Sequence, residues 1–202
     1  MDYKKIIKSQ KVRLKILDLL SFVPDKTMIK FQYRIKTGRK LNLKNPQRYT
    51  EKIQWYKLYY RKPTMAQCAD KYEVRKYVET CGLKNILNEC YGVYDNVEDV
   101  DFDKLPNQFV LKDTLGSGGS SVIICKDKET ANLDEYRNIM KQWVNSSTKN
   151  GGGREWIYAG RKHRIICEKY LNLDGDLPDY KFFCFDGKMK NFYEEYYSEF
   201  FV

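Results

Sequence analysis

The sequence predicts an α+β fold in which a helical, basic N-terminal region precedes an antiparallel sheet, and three observations carry that prediction. Apolar residues from Leu14 to Val23 recur at helical spacing, and Pro24, Pro46 and Pro63 break the opening 65 residues into helical pieces. Residues 109–128, FVLKDTLGSGGSSVIICKDK, read as an apolar strand, a serine- and glycine-rich loop and a second apolar strand. Further strands come from RIICEKYLNL (164–173) and from DYKFFCFDGKMKNFY (179–193), the latter folding back at Asp186-Gly187.

Taken in order, the N-terminal region contains NPQRYTEKIQWYKLYY (45–60), where Ile53, Trp55, Tyr56, Leu58, Tyr59 and Tyr60 crowd a helix that starts near Thr50. Such an aromatic stripe is expected to pack against the main body. In ADKYEVRKYVETCGL (69–83), Asp70 and Glu73 have the spacing of a capping box, and Val74, Tyr77, Val78 and Cys81 share one helical face. Lys71 falls in the first turn, where a cation opposes the helix dipole; an anionic ligand nearby would explain it, and a solvated lysine is the plainer reading. Strand and loop elements follow in residues 86–106, then the strand that delivers Lys112, a helix over 134–144 and a polar loop over 145–153.

A chain of 202 residues with 42% hydrophobic content can bury a core, as one ordinary domain or two small ones. The formal charge of +10, with lysine and arginine along the whole length, favours anionic partners: nucleotides, phosphorylated sugars, nucleic acid or an acidic membrane surface. No recognised nucleic-acid motif accompanies the charge, so that partner ranks last. The six cysteines lack a C-x-x-C pair and read as buried free thiols, which points to the cytosol and argues against zinc. His163, flanked by Arg161, Lys162 and Arg164, reads as a surface residue. The basic, moderately apolar amino terminus is too short and charged to span a bilayer, but a basic amphipathic helix can lie on an anionic leaflet. The expected location is therefore cytoplasmic, with a peripheral membrane contact left open.

The chemistry concentrates in the glycine loop. Gly116, Gly118 and Gly119 let backbone N–H groups turn toward a ligand, Ser117, Ser120 and Ser121 add hydroxyl donors, and Lys112 supplies positive charge at the loop's base. That is a design for phosphate, and a nucleoside triphosphate is the natural guest. A flexible hairpin loop is the competing reading. The Gly-Lys-Ser/Thr ending of a P-loop and the G-x-G-x-x-G dinucleotide pattern are both missing.

Five motifs in sequence order give these pieces a family likeness. After an asparagine-proline segment stand EKIQW (51–55), DKYEVR (70–75), LPNQFVLK (105–112), EKYL (168–171) and DYKFFCF (179–185). The chain resembles the ATP-grasp superfamily, and more narrowly the TupA-like proteins associated with teichuronopeptide and capsular polysaccharide synthesis. The resemblance implies a helical basic region over 1–65, a first subdomain over 66–105, a lid subdomain with glycine loop and hinge over 106–172, and the start of a truncated third subdomain over 173–202. It implies that Lys71 and Lys112 reach nucleotide phosphates and that residues 168–171 form the hinge. There the Glu168 carboxylate or backbone carbonyls accept from the adenine amino group, Glu168 being the expected adenine partner, with Tyr170 and Leu171 alongside. Asp179 and Lys181 match the element whose basic side chain faces the transferred phosphoryl group or substrate carboxylate.

ATP and magnesium are the implied cofactors, and a sugar acid or amino acid the implied substrate. The metal-holding acidic strands of the family are expected beyond Val202, and the alternating Glu194, Glu195 and Glu199 read as a surface strand. Asp113-Thr114-Leu115 departs from the family's loop entry, placing a carboxylate beside the phosphates that metal or Lys112 would have to offset. The expected function is an ATP-dependent carboxylate–amine ligase of cell-surface polysaccharide assembly. The rivals are an inactive nucleotide-binding remnant and a glycosyltransferase, a label borne by family members; the latter lacks support from any D-x-D motif.

Overall fold

A computed structural model of the chain describes residues 10–116, 121–146, 153–171 and 178–196. Among the described residues five α-helices lead: α1 (Gln10–Leu19), α2 (Asp25–Thr37), α3 (Tyr49–Tyr59), α4 (Pro63–Ala69) and α5 (Glu73–Thr80). Pro24 directly precedes α2 and Pro63 opens α4, positions where a missing N–H costs nothing. Gly38 ends α2 at φ 71°, a left-handed cap that other residues adopt with strain.

Strands β1 (Cys90–Tyr94), β2 (Phe109–Asp113), β3 (Val122–Cys125) and β4 (Ile165–Lys169) form one sheet in the order β1-β4-β2-β3, every pair antiparallel. Between β3 and β4 runs α6 (Leu133–Val144), whose N-cap Asn132 accepts from the Glu135 amide at 3.1 Å. The period-2 alternation of the strands sorts their side chains. Phe109, Leu111, Ile123, Cys125, Ile165 and Cys167 join Met140 and Trp143 of α6, with Val97, Val100, Phe102 and Leu105 from the β1–β2 connection, in the main core. The other parity carries Val110, Lys112, Val122, Ile124, Ile166 and Glu168, and there Val122 and Ile124 are exposed. This second face holds the charged residues of interest.

Strands β5 (Pro178–Phe185) and β6 (Lys188–Tyr196) make a separate hairpin, turning at Asp186 (φ 52°) and Gly187 (φ 71°), as the Asp-Gly pair predicts.

Three expectations about packing change. On α3 only Leu58 joins the small cluster of Ile29, Tyr33 and Leu41, while Ile53, Tyr56 and Tyr59 are exposed. The aromatics stack along their own helix instead, Trp55 on Tyr59 at 5.3 Å and Tyr56 on Tyr60 at 4.9 Å. On α5, Tyr77 and Cys81 are exposed, because that helix is held by its polar N-terminal turn. All six cysteines are free, but Cys68, Cys81 and Cys184 are exposed; Cys125 and Cys167 lie in the core, where burial pushes the Cys167 thiol up to about 12.

Phe109 is fully buried where β2 meets α6. Phe109→Ala should lower the unfolding free energy by about 3–5 kcal/mol, measured by urea denaturation.

Candidate functional site

The turn before α5 docks against the end of the main sheet through a buried carboxylate. Asp70, 1% exposed, accepts the amides of Tyr72 (2.8 Å) and Glu73 (3.0 Å) on Oδ1, and the Arg164 guanidinium (3.3 Å) on Oδ2. Arg161 adds a weaker ion pair at 3.9 Å. The backbone completes the joint: the Lys71 amide donates to Thr114 O, and the Thr114 amide donates to Arg164 O, each at 2.9 Å. Burial works against the Asp70 charge, yet the Glu73 and Tyr72 amides and the Arg164 guanidinium outweigh it and hold the carboxyl below its ordinary pKa. The expected capping box is half formed. Asp70 caps, but Glu73 turns outward to Arg164 Nη2 at 2.7 Å, a charged partner that the Asp70 amide cannot match.

This joint brings two lysines from separate elements to one place. Lys71 Nζ donates to the carbonyls of Asp113 (2.8 Å) and Gly116 (2.5 Å), so it grips the root of the glycine loop. Lys112 Nζ, projecting from β2, pairs with Glu168 Oε2 on β4 at 2.7 Å. Glu168 is buried, and its Oε1 accepts from Arg75 Nη1 at 3.1 Å. Arg75, one turn beyond Lys71, also donates to Asn88 O at 2.5 Å. Burial pulls the Lys71 ammonium below its ordinary pKa; Asp113, Asp70 and Glu168 resist, while the charge of Lys112 pulls the same way as burial. The two ammonium groups therefore share one electrostatic neighbourhood.

Behind them sits a further buried carboxylate. Asp113 follows the inward parity of Phe109 and Leu111, is 3% exposed, and meets His163 Nδ1 at 2.7 Å. Its Oδ1 also accepts the Leu115 amide at 3.0 Å, and its own amide donates to Ser121 O at 3.1 Å. His163 is thus no surface residue: it partners the buried carboxylate at the loop entry. The neighbours of this carboxylate are the His163 ring and the Lys71 ammonium, not Lys112, which projects from the opposite face of β2. At Gly116 a Cβ would overlap Ser121 and crowd Asp113, so only glycine lets the two ends of the loop approach this closely.

The model of the TupA-like ATPgrasp family matches residues 51–195. The chain belongs to the TupA-like ATP-grasp family. No curated protein and no solved structure matches it.

Within this ATP-grasp protein, Lys71, Lys112, Gly116, Ser121 and Glu168 are gathered at the junction of α5, β2 and β4. Ser117, Gly118, Gly119 and Ser120 lie outside the described residues, as does most of the 145–153 loop. Tyr170 and the exposed Leu171 follow β4 directly. Asp179 and Lys181 stand on β5, in register with Glu195 and Tyr193 of the hairpin. Arg75 and His163 escape sequence reasoning as members of the site, and Asp113, singled out as a carboxylate at the loop entry, gains a partner there that was not foreseen. Arg75 is flagged only by its four-residue spacing from Lys71; Asp113 and His163 are flagged by an acidic residue on an apolar parity with a lone histidine available to meet it.

The cations and the tight glycine entry suit a polyphosphate. Among the described residues no group of three His, Cys, Asp or Glu side chains is placed to hold a metal, so no magnesium ligand is assigned.

Since the folded pKa of Asp70 is depressed, its contribution is present above the unfolded value of about 3.9 and is lost as pH falls through the folded one. Asp70→Asn should cost about 2–4 kcal/mol at neutral pH and flatten the acid limb of stability against pH, read by urea unfolding at a series of pH values.

Proposed function

We propose that the protein is an ATP-dependent carboxylate–amine ligase acting in cell-surface polysaccharide biosynthesis, with ATP at the junction of α5, β2 and β4. One observation carries the reading: Lys71, which grips the root of the glycine loop, and Lys112, which pairs with Glu168, come from different elements into one electrostatic neighbourhood.

Each residue then has a task. Lys112 turns from the Glu168 carboxylate to a phosphate oxygen, and Arg75 stays on Glu168 to partner the carboxylate that Lys112 leaves. Lys71 keeps the loop entry in place through the Asp113 and Gly116 carbonyls and lends its charge to the phosphate chain. Gly116, Ser117, Gly118, Gly119, Ser120 and Ser121 supply backbone and hydroxyl donors to the phosphates. Arg75 holds the Glu168 carboxylate, so the hinge backbone at Tyr170 and Leu171 is the better acceptor for the adenine amino group. Lys181, with Asp179, faces the sugar-acid or amino-acid carboxylate. The γ-phosphoryl group of ATP passes to that carboxylate with ADP leaving, and an amine then displaces phosphate from the acyl group to form the amide. The protein's share is to position the groups and to balance developing negative charge with fixed cations.

The reading is checked by titrating ATP calorimetrically and following ADP release with magnesium and candidate carboxylate and amine pairs. Wild type should bind and turn over, whereas Lys112→Ala should bind ATP about 10–100-fold more weakly and lose turnover. Binding without turnover across a broad substrate panel would contradict the ligase assignment, and absence of ATP binding would contradict the site.

A further inference from the structure

Basic residues occur along the whole chain, but the net charge does not. Residues 1–50 hold fourteen lysines and arginines against three acidic residues, Asp2, Asp18 and Asp25, a formal +11. The family-matched span 51–195 holds twenty-three of each and is neutral. The excess charge therefore lies outside the part of the molecule that would handle a nucleotide.

The same segment exposes large apolar side chains in a pattern. Val12, Ile16 and Leu19 follow i, i+4, i+7 spacing on α1, and Phe22 continues the strip in the turn beyond; Leu19 is 76% and Phe22 79% exposed. Phe31 on α2 is exposed as well. Lys15 beside the strip, and Lys26, Lys30 and Arg34 on α2, are exposed. The strip is not on a loose tail. Buried Arg154 donates to Leu20 O at 2.6 Å and to Asp25 Oδ1 at 3.0 Å, which fastens the α1–α2 turn to the body and balances one of the three acidic charges.

We propose that this N-terminal face docks the protein on a bilayer rich in anionic phospholipid, with Leu19 and Phe22 entering the headgroup–acyl boundary and the lysines and arginines meeting lipid phosphates. Both components are needed to choose this partner. Charge alone would serve a nucleic acid equally, but aliphatic and phenyl groups at helical spacing gain nothing from a phosphate backbone and gain burial in a leaflet. Each basic residue at an anionic surface adds about fivefold in affinity, so exposed residues such as Lys15, Lys26, Lys30 and Arg34 compensate for a short apolar strip. No helix among the described residues is long and apolar enough to cross a membrane, so this docking is on the surface. The inference stands apart from the nucleotide reading and needs no ATP.

The test is co-sedimentation of the full chain with phosphatidylcholine vesicles, with and without phosphatidylglycerol, alongside a labelled random RNA oligonucleotide. Wild type should pellet only with phosphatidylglycerol, and added salt should weaken it. Leu19→Gln/Phe22→Gln and Lys26→Glu/Lys30→Glu should each bind at least about tenfold more weakly, with thermal unfolding unchanged because all four side chains are exposed. Failure to pellet with phosphatidylglycerol would overturn the proposal. So would vesicle binding unaffected by the Leu19/Phe22 pair, or RNA binding tighter than vesicle binding and indifferent to that pair.

Discussion

A buried carboxylate, Asp70, is the constraint on which the arrangement of this protein depends. It collects two amides of its own turn and the guanidinium of Arg164, the residue that leads into β4. Because Lys71 is the next residue and its amide bonds to Thr114, fixing Asp70 also fixes where the Lys71 ammonium can reach. An unpaired charge at this depth would cost several kcal/mol, so the joint forms completely or the α5 turn comes away from the sheet. Two segments about forty residues apart in sequence are thereby held as one surface.

The electrostatics of that surface follow from pairing at every step. Lys112, Arg75 and Glu168 form a chain of cation, anion and cation, and Asp113 is met by His163 on the other face of the same strand. Among the described residues no buried side-chain polar atom lacks a hydrogen-bond partner. Such a cluster presents an incoming anion with a cation already in place, since Lys112 can turn to it while Arg75 remains on Glu168. Membership in the TupA-like ATP-grasp family, over residues 51–195, supplies the class of guest that this arrangement suits.

Much of this was legible in the chain. Strand parity and glycine chemistry foretold β2, β3, the loop entry and the Asp-Gly hairpin, because those depend on neighbouring residues alone. The pairing of β4 between β1 and β2 was not legible, since register across long connections leaves no local trace, and with it went the Lys112–Glu168–Arg75 chain. His163 was misread because its basic neighbours describe the exposure of a segment, not of one side chain that reaches inward to Asp113. The α3 aromatics were misread for a related reason: apolar residues at helical spacing can satisfy one another along a helix without entering a core.

The central claim is that Lys71 and Lys112 serve the phosphate chain of one nucleotide. Comparing the affinities of wild type, Lys71→Met and Lys112→Met for ATP and for AMP tests it most directly. The account predicts that each substitution weakens ATP by about tenfold or more while leaving AMP nearly unchanged, since a lost charge-assisted hydrogen bond is worth about 1.5–3 kcal/mol. Equal losses for ATP and AMP, or no loss for either lysine, would contradict it.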